Sequence, residues 1–274
     1  WYTNSNFSGD PVTQIVKGST GNKTFYAKWG AIPYGITYHL GGGTNHASNP
    51  DNYTIEQVPI TLQNASRAGY SFEGWYKEEG FINKVTNIPA GSTGDKTFYA
   101  KWLVVDYYIS YHLNNGTNHP SNKGGYTVEE LPFELHDASR SGYTFKGWYD
   151  NANFTGNPVT QIPTGSAGNK TFYAKWEINT YTVTYNMNGG SGCSDLDYTV
   201  ETNTFNLCTS VSRTGHWFKG WYDNAGFNGN PVTQILKGST GDKIFYAKRK
   251  KRAARVELYN KYVQYKTGQV YEVN

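Results

Sequence analysis

Apolar and polar side chains alternate along three short runs of the chain. The runs are YGITYHL at 34–40, YYISYHL at 107–113 and YTVTYNM at 181–187. In the first run, Ile36 and Tyr38 fall on one side of an extended backbone, and Thr37 and His39 fall on the other. A period of two is the signature of a strand with one buried face, so each run predicts a β-strand.

A turn and a second strand signal follow each alternating run. The turns are rich in Gly and Asn, and they read GGGTN at 41–45, NNGTN at 114–118 and NGGSG at 188–192. Such residues tolerate the positive φ that tight connections require. The second signal is YTIE at 53–56 and YTVE at 126–129 and 198–201. Together, the two strand signals predict a hairpin in each copy.

An aromatic block and a closing strand complete the pattern. The block reads SRAGYSFEGWY at 66–76, SRSGYTFKGWY at 139–149 and SRTGHWFKGWY at 212–222, and FYAKW follows it. Buried aromatic rings cover about 150–250 Å² each, so they dominate a small core. We therefore predict a structural aromatic core from these positions. Its members are Tyr70, Phe72, Trp75, Tyr143, Phe145, Trp148, Phe218, Trp221, Trp29, Trp102 and Trp176.

The same order of elements returns at a nearly constant distance. FYAKW ends at Trp29, Trp102 and Trp176, and FYAKR ends at Arg249, at steps of 73, 74 and 73 residues. A unit of this size can just bury its own core, so we expect small domains arranged as beads on a string and not the turns of a solenoid. The predicted divisions are the C-terminal half of a repeat at 1–30, repeat 1 at 31–103, repeat 2 at 104–177, repeat 3 at 178–249 and a basic tail at 250–274.

Composition and charge favour a β-rich extracellular protein. Aromatic residues make up 16% of the chain and charged residues 17%, which excludes disorder and is untypical of helical cytosolic proteins. Residues 1–247 carry a formal net charge of −2, and residues 248–274 carry +6. An anionic partner would therefore meet the basic run KRKKRAAR at 248–255, although a solvated linker is the preferred interpretation. No aromatic residues are interleaved with it, which argues against specific nucleic-acid recognition.

The combined pattern resembles a known family. YTVTYNMNGG, SRxGYTFKGWYD and TFYAKW recur in order over residues 1–249, as in the Listeria–Bacteroides repeat, the family that includes the B repeat of internalin B. The resemblance implies a β-grasp-like module with a mixed sheet and at most one short helix. It also implies bacterial surface or secreted proteins in which tandem copies act as stalks or adhesive modules. His216, Trp217 and Arg249 depart from the pattern near the last predicted repeat boundary.

Histidine and acidic residues are the first candidates for chemistry. His39 and His46 recur as His112 and His119, at the same spacing of seven. No Cys or carboxylate accompanies them in a metal-binding pattern, so exposed histidines are the preferred interpretation. Neighbours such as Glu129–Glu130 point to opposite faces of a strand, which suits a solvated face better than a glycosidase pair. We expect no catalytic residues, no metal and no cofactor.

Four tyrosines of the closing strands form a possible interaction surface. They are Tyr26, Tyr99, Tyr173 and Tyr246, and they alternate out of phase with the core-facing phenylalanines. Exposed Tyr suits binding of a sugar or a protein, but packing against a loop or the next module is the preferred interpretation. Arg67, Arg140 and Arg213 are expected to bond a loop carbonyl or a local carboxylate.

The two cysteines, Cys193 and Cys208, both lie in repeat 3 and are a possible disulfide. A straight strand over 198–207 would hold its ends about 30 Å apart, whereas a disulfide needs Cα atoms within about 7 Å. A bend at Thr202–Asn203 would permit the bridge. Separate thiols are the preferred interpretation.

These observations predict a non-catalytic tandem-repeat segment of a bacterial cell-surface or secreted protein. It would act as a spacer or stalk and as a multivalent adhesion module. The alternative is a glycan-binding accessory array of a larger secreted enzyme. Expected partners are a host or cell-wall glycan or a surface protein, with no transmembrane segment and a monomeric chain. Because Trp1 matches Trp75, we expect a piece of a longer protein.

Overall fold

A computed structural model describes residues 1–252 of the chain. That range is β-rich, as the alternation predicts, with nineteen strands and one 3₁₀ helix, Val128–Glu130. Most of the predicted basic tail lies outside the described residues. Contacts divide the chain into two compact units. The first comprises Trp1–Tyr108, Gly124–Phe133 and Ile162–Asn169, and the second comprises Ile109–Lys123, Glu134–Gln161 and, of the described residues, 170–252.

Repeat 1 is built on a mixed sheet. Its strands are β1 (Tyr34–His39), β2 (Asn52–Tyr53), β3 (Ile60–Thr61), β4 (Tyr70–Tyr76), β5 (Lys84–Val85), β6 (Asn87–Ile88) and β7 (Lys96–Val104). The main sheet has the order β2-β1-β7-β4-β5, and β3 pairs separately with β6. β1 runs parallel to β7, with Tyr38 opposite Phe98, whereas β4 runs antiparallel to β7, with Trp75 opposite Ala100. The closing strand therefore lies at the centre of the sheet, where it buries Phe98 and Ala100.

Repeats 2 and 3 build the same sheet without its fifth strand, since only the isolated bridges Trp148–Val159 and Trp221–Val232 stand in place of β5. Repeat 2 has β8 (Tyr107–His112), β9 (Gly125–Tyr126), β10 (Phe133–Glu134), β11 (Tyr143–Tyr149), β12 (Gln161–Ile162) and β13 (Lys170–Ile178). Repeat 3 has β14 (Tyr181–Asn186), β15 (Leu196–Tyr198), β16 (Phe205–Asn206), β17 (His216–Tyr222), β18 (Gln234–Ile235) and β19 (Lys243–Lys251). The strand orders are β11-β13-β8-β9 and β15-β14-β19-β17, and in each sheet the central pair is parallel.

A buried tryptophan occupies the same position in each full repeat. Trp75, Trp148 and Trp221 are at most 2% exposed. Each indole Nε1–H donates to a backbone carbonyl oxygen at 2.6–2.9 Å, so the ring is buried without an unsatisfied donor. A phenylalanine packs edge-on against each ring, with centroids 5.2–5.3 Å apart. These phenylalanines are Phe72, Phe145 and Phe218.

The closing position of each repeat bonds the carbonyl of the residue that follows the repeat's first strand. Trp102 and Trp176 donate from Nε1 at 2.8 and 2.9 Å. Arg249 takes this place in repeat 3, and its Nε and Nη2 donate to the carbonyl oxygen of Met187 at 3.1 and 2.7 Å. Burial, followed by the charge of Arg213, lowers the pKa of Arg249. The arginine thus preserves the hydrogen bond that the tryptophan makes elsewhere.

Residues 1–30 form only part of the fold of a full repeat. Tyr2 and Tyr26 form an antiparallel bridge, and Trp29 is 90% exposed. Trp29 therefore lies in solvent, in contrast to its predicted place in an aromatic core. The reason is that residues 1–30 contain no counterpart of β1, which precedes the carbonyl that Trp102 bonds.

Cys193 and Cys208 form a disulfide, with their Cα atoms 6.0 Å apart. The straight strand that would have separated them does not form. β15 ends at Tyr198, and a turn closed by a hydrogen bond from the Thr202 N–H to the Thr199 carbonyl, at 3.1 Å, bends the chain before β16. The structure therefore contains no free cysteine among residues 1–252, although separate thiols were the preferred interpretation.

Candidate functional site

Successive repeats contact each other through equivalent residues at two junctions. We name the first partner the corner: Arg67, Gly69 and Tyr70 in repeat 1, and Arg140, Gly142 and Tyr143 in repeat 2. We name the second partner the knob: Val128 and Glu129 in repeat 2, and Val200 and Glu201 in repeat 3. Each knob lies on the preceding corner, and each corner–knob pair lies within one compact unit.

The corner glycine holds the linker between two repeats. Gly69 and Gly142 have φ values of +81° and +78°, a region that residues with a Cβ rarely adopt. Their carbonyl oxygens accept the N–H groups of Val105 and Asn179 at 3.0 and 2.9 Å. Only two residues separate β7 from β8, and only two separate β13 from β14. The corner therefore anchors a linker that is already short.

The knob valine packs directly on this glycine. A Cβ atom built on Gly69 would lie 2.1 Å from Cγ1 of Val128, and one built on Gly142 would lie 2.0 Å from Cγ1 of Val200. Carbon atoms in ordinary contact are about 3.5–4.0 Å apart. Both glycines are buried. A side chain at either glycine would therefore have to displace the knob.

The corner tyrosine supplies the polar part of the contact. The Tyr70 hydroxyl donates to Oε1 of Glu129 at 3.0 Å, and the Tyr143 hydroxyl donates to Oε1 of Glu201. The corner arginine lies over the same ring, 3.6 Å from its centroid in repeat 1 and 3.5 Å in repeat 2. Desolvation and then the bond to Glu129 raise the pKa of Tyr70; for Tyr143 the bond to Glu201 is the larger cause of the raised pKa. Both tyrosines thus lie at junctions between repeats, whereas the sequence pattern predicts them in the aromatic core.

The corner of repeat 3 has the same turn without a knob among the described residues. Gly215 has φ +71°, and its carbonyl accepts the Arg252 N–H at 2.7 Å. No atom of the described chain lies within 4 Å of a Cβ built on it, and the residue is exposed. His216 replaces the tyrosine, and Arg213 donates to the carbonyl of Asn188 at 2.6 Å. The glycine turn of repeat 3 therefore forms with no knob on it among residues 1–252.

The knob position of repeat 1 is occupied by Ile55 and Glu56. Ile55 is 50% exposed and Glu56 is exposed. Val128 and Val200, which match Ile55 in the other repeats, are half-buried. The same sequence position is therefore covered in two repeats and open in the first.

The predicted tyrosine surface is partly covered by histidines. Its members are Tyr26, Tyr99, Tyr173 and Tyr246. Tyr99 stacks on His39 with centroids 4.4 Å apart, and Tyr173 stacks on His112 at 4.5 Å. Tyr26 is 38% exposed, whereas the other three are half-buried. Within residues 1–252, His, Cys, Asp and Glu form no group of three or more that is suited to a metal ion.

Shallow cavities recur at one place in repeats 1 and 3, with volumes of about 390 and 420 Å³. Asp95 lines the first cavity and Asp242 the second. Each carboxylate accepts a backbone N–H from the first strand of its own repeat, at 2.7 Å from Gly35 and 2.8 Å from Thr182. Each carboxylate therefore holds the edge of the first strand of its own repeat.

The sequence pattern does not predict the knob. It assigns Val128 to a strand and Glu129 to a solvated acidic pair. In the structure β9 ends at Tyr126, and the 3₁₀ helix Val128–Glu130 carries Glu129 to the hydroxyl of Tyr70. The available signal was the recurrence of an acidic residue three positions after the tyrosine in all three YTxE segments.

Relatives of the chain include predicted membrane proteins and an internalin. A Gly-rich protein of Evansella cellulosilytica, assigned to the membrane by prediction, is 32% identical over 74% of this chain, and a second such protein of that organism is 29% identical over 73%. Internalin H of Listeria monocytogenes is 32% identical over 35%. The chain spans only 23%, 29% and 17% of the length of these relatives. In residues 1–252, no helix combines the length and apolar character needed to cross a bilayer.

The family match follows the repeats themselves. The sequence model of the Listeria-Bacteroides repeat domain matches residues 34–101, 107–175 and 181–248. Each matched segment starts at the first strand of a repeat and ends in its closing strand. Because the three matches cover most of the sequence, the chain belongs to the Listeria-Bacteroides repeat family.

Proposed function

We propose that this chain is a non-catalytic spacer of a bacterial surface protein, in which the corner–knob contact holds successive repeats in series. The observation that carries the proposal is the recurrence of the same contact at both junctions. A repeated sequence that served only to build identical cores would not need matched surfaces between its copies. For the repeats, the proposed boundaries are those that the 73-residue step predicts. The proposed likeness of each repeat to a β-grasp fold rests on the family.

Three attachments act on each junction. The linker N–H bonds the corner carbonyl, the knob valine lies on the corner glycine, and the corner tyrosine bonds the knob glutamate. A free linker of two residues would let the repeats rotate relative to each other about the φ and ψ bonds of both residues. Each attachment removes part of this rotation. The arrangement suits a spacer better than a flexible tether.

The proposed location is the bacterial surface or the extracellular space. Support comes from the names of the relatives, two of which indicate the membrane and one an internalin. The disulfide between Cys193 and Cys208 adds to this support, because such bonds persist mainly in oxidising compartments. We propose a monomeric chain.

Small-angle scattering tests the spacer. A compact chain of this length has a radius of gyration of about 19 Å, and we expect a clearly larger value. Val128→Asp together with Val200→Asp should loosen both junctions and broaden the distance distribution. Ile55→Asp is the matched control, because Ile55 is already exposed, and it should leave the scattering unchanged. A wild-type value near 19 Å contradicts the proposal.

A multivalent glycan-binding surface is the second candidate, whether for adhesion or as the accessory array of a larger secreted enzyme. The two His–Tyr stacks favour it, because they present flat ring pairs at equivalent positions of repeats 1 and 2. Linked weak sites gain affinity through effective concentration. Removal of either site, by Tyr99→Ala or by Tyr173→Ala, should therefore lower the affinity for an immobilised glycan array far more than twofold, and the double variant should not bind. Equal binding by all variants argues against this function.

A further inference from the structure

The open knob of repeat 1 has the same shape as the two covered ones. The tyrosine before each knob is buried, and its hydroxyl donates to a glycine carbonyl at 2.6–2.8 Å in all three repeats. These tyrosines are Tyr53, Tyr126 and Tyr198. The backbone that carries Ile55 is therefore fixed to its own repeat in the same way as the backbone that carries Val128 and Val200.

The turn of the knob is also formed in advance. In repeat 1 the Thr54 N–H donates to Oε1 of Gln57 at 2.6 Å. The equivalent bonds run from Thr127 to Glu130 at 2.8 Å and from Thr199 to Thr202 at 2.9 Å. Three different side chains thus close the same turn. Since the turn forms in repeat 1 with its knob exposed, docking does not create it.

A second exposed aliphatic residue lies where the linker would be anchored. Ile32 matches Val105, whose N–H bonds the corner carbonyl of repeat 1. Ile32 is 64% exposed, whereas Val105 is half-buried. Both positions that contact a corner in the later junctions are therefore open at the start of repeat 1. Residues 1–30 match the part of a repeat that follows the corner.

We infer that Ile55 and Glu56 form a docking site for the Arg-x-Gly-Tyr corner of a further repeat of this family, of the kind that repeats 1 and 2 carry. This inference rests on the corner–knob contact of the proposed spacer. The glycine receives Ile55, and the tyrosine hydroxyl donates to the carboxylate of Glu56. The arginine over the tyrosine ring supplies a charge of opposite sign to that carboxylate. A corner with Tyr fits this site better than the corner of repeat 3, which has His216.

The first experiment asks whether an Ile–Glu knob fits a native corner. Val128→Ile with Val200→Ile gives repeats 2 and 3 the knob of repeat 1 within the existing chain. Hydroxyl-radical footprinting then measures oxidation of the two new isoleucines. We expect each to be oxidised about twofold more slowly than Ile55, or slower still, since their positions are half-buried and Ile55 is 50% exposed. Oxidation as fast as that of Ile55 shows that isoleucine does not fit, and it overturns the inference.

The second experiment supplies a corner of this kind. A copy of residues 104–147 is placed directly before Trp1, where Trp148 would follow in repeat 2, so that residues 1–30 become part of a full repeat with the corner of repeat 2. Folding of this repeat is read from Trp29, whose oxidation should fall from that of a 90% exposed side chain. Oxidation of Ile55 should fall about twofold or more. In the matched control, Gly142→Asp and Tyr143→Ala in the copied segment alone should restore it.

Two further results overturn the inference. In one, Ile55 is oxidised equally with the intact and the altered copied corner. In the other, Ile55 is protected only at high concentration of the unextended chain. The second result would show docking to another copy. If Trp29 is not protected, a copy of residues 31–74 replaces that of 104–147, and the isoleucine variants decide the fit independently. Scattering reports the dimensions of the chain and footprinting reports one contact. A compact chain with a protected Ile55 therefore contradicts the spacer and not the docking site.

Discussion

Replacing Gly142 by alanine tests whether the knob contributes to stability through the corner. The new Cβ would lie 2.0 Å from Cγ1 of Val200, so Val200 has to move by about 1.5 Å to reach an ordinary contact distance. Gly215→Ala is the matched control. Gly215 has nearly the same φ, +71° against +78°, and no atom of residues 1–252 lies within 4 Å of the position that its new methyl group would take.

The two substitutions share their backbone cost. Alanine in the left-handed region loses about 1–2 kcal/mol, and the smaller entropy of the unfolded chain returns about 0.4–1 kcal/mol. Both terms cancel in the comparison. The remaining difference between the two variants is the free-energy cost of overpacking the knob, about 1–3 kcal/mol. Since Val200 can also leave the corner, the difference cannot exceed the free energy of the contact itself. We expect Gly142→Ala to lower the free energy of unfolding by about 1–3 kcal/mol more than Gly215→Ala.

Urea unfolding monitored by tryptophan fluorescence gives the two free energies, and footprinting gives the exposure of Val200. Combining Gly142→Ala with Val200→Ala removes the clashing methyl groups, so the double variant should recover part of the extra loss. The reasoning is refuted if Gly142→Ala and Gly215→Ala differ by less than about 0.5 kcal/mol, the usual error of such additivity, while Val200 keeps its protection.

Three further predictions concern the individual repeats. Replacing Cys193 and Cys208 together by serine should lower the free energy of unfolding by about 3 kcal/mol, since the bridge spans a sequence separation of 15; an unchanged urea midpoint contradicts this. Trp148→Ala should cost about 3–5 kcal/mol and Trp29→Ala less than about 0.5 kcal/mol, because these side chains are 1% and 90% exposed; equal losses in urea unfolding contradict the core assignment. Burial raises the pKa of Tyr38 and Tyr111 to about 12, against an ordinary value of 10.0, with Asp51 adding to the shift of Tyr38. The unfolded chain therefore loses these protons first, so stability present below pH 10 should fall as the pH rises towards 12. The double phenylalanine variant should lose less over that window, and a parallel decline of both proteins contradicts the explanation.

Local sequence patterns predict the strands but not all of their neighbours. The alternation at 34–40 correctly indicates β1 and its buried face, and FYAKW correctly indicates β7. Nothing in either segment indicates that they pair in parallel, with Tyr38 opposite Phe98. Alternation reports which side of a strand is buried, whereas pairing depends on residues about sixty positions away. The mixed character of the sheet was therefore available only from the family resemblance.

The contact at a junction is harder to predict, because the segment that forms a knob does not encode whether that knob is buried. Ile55–Glu56 and Val128–Glu129 lie in nearly identical sequences, yet Ile55 is exposed and Val128 is half-buried. The difference comes from the preceding repeat. Comparison of the copies would have shown that Glu recurs after the tyrosine and that Gly precedes Tyr70 and Tyr143. It would not have shown that these positions meet.

Differences in length between the repeats fall away from the junctions. The connection from β1 to β2 spans twelve residues, as does that from β8 to β9, but only nine residues join β14 to β15. That shorter loop contains Cys193, which is tied to Cys208. The linkers are two residues long at both junctions. A loop can lose residues without moving a knob, because the buried tyrosine before the knob fixes its position. A linker cannot change in length in this way, because a change in its length would move Val128 away from Gly69. A selection that acted on the core alone would not distinguish the linker from the loop, so the constant linker argues that the contact between repeats is itself maintained.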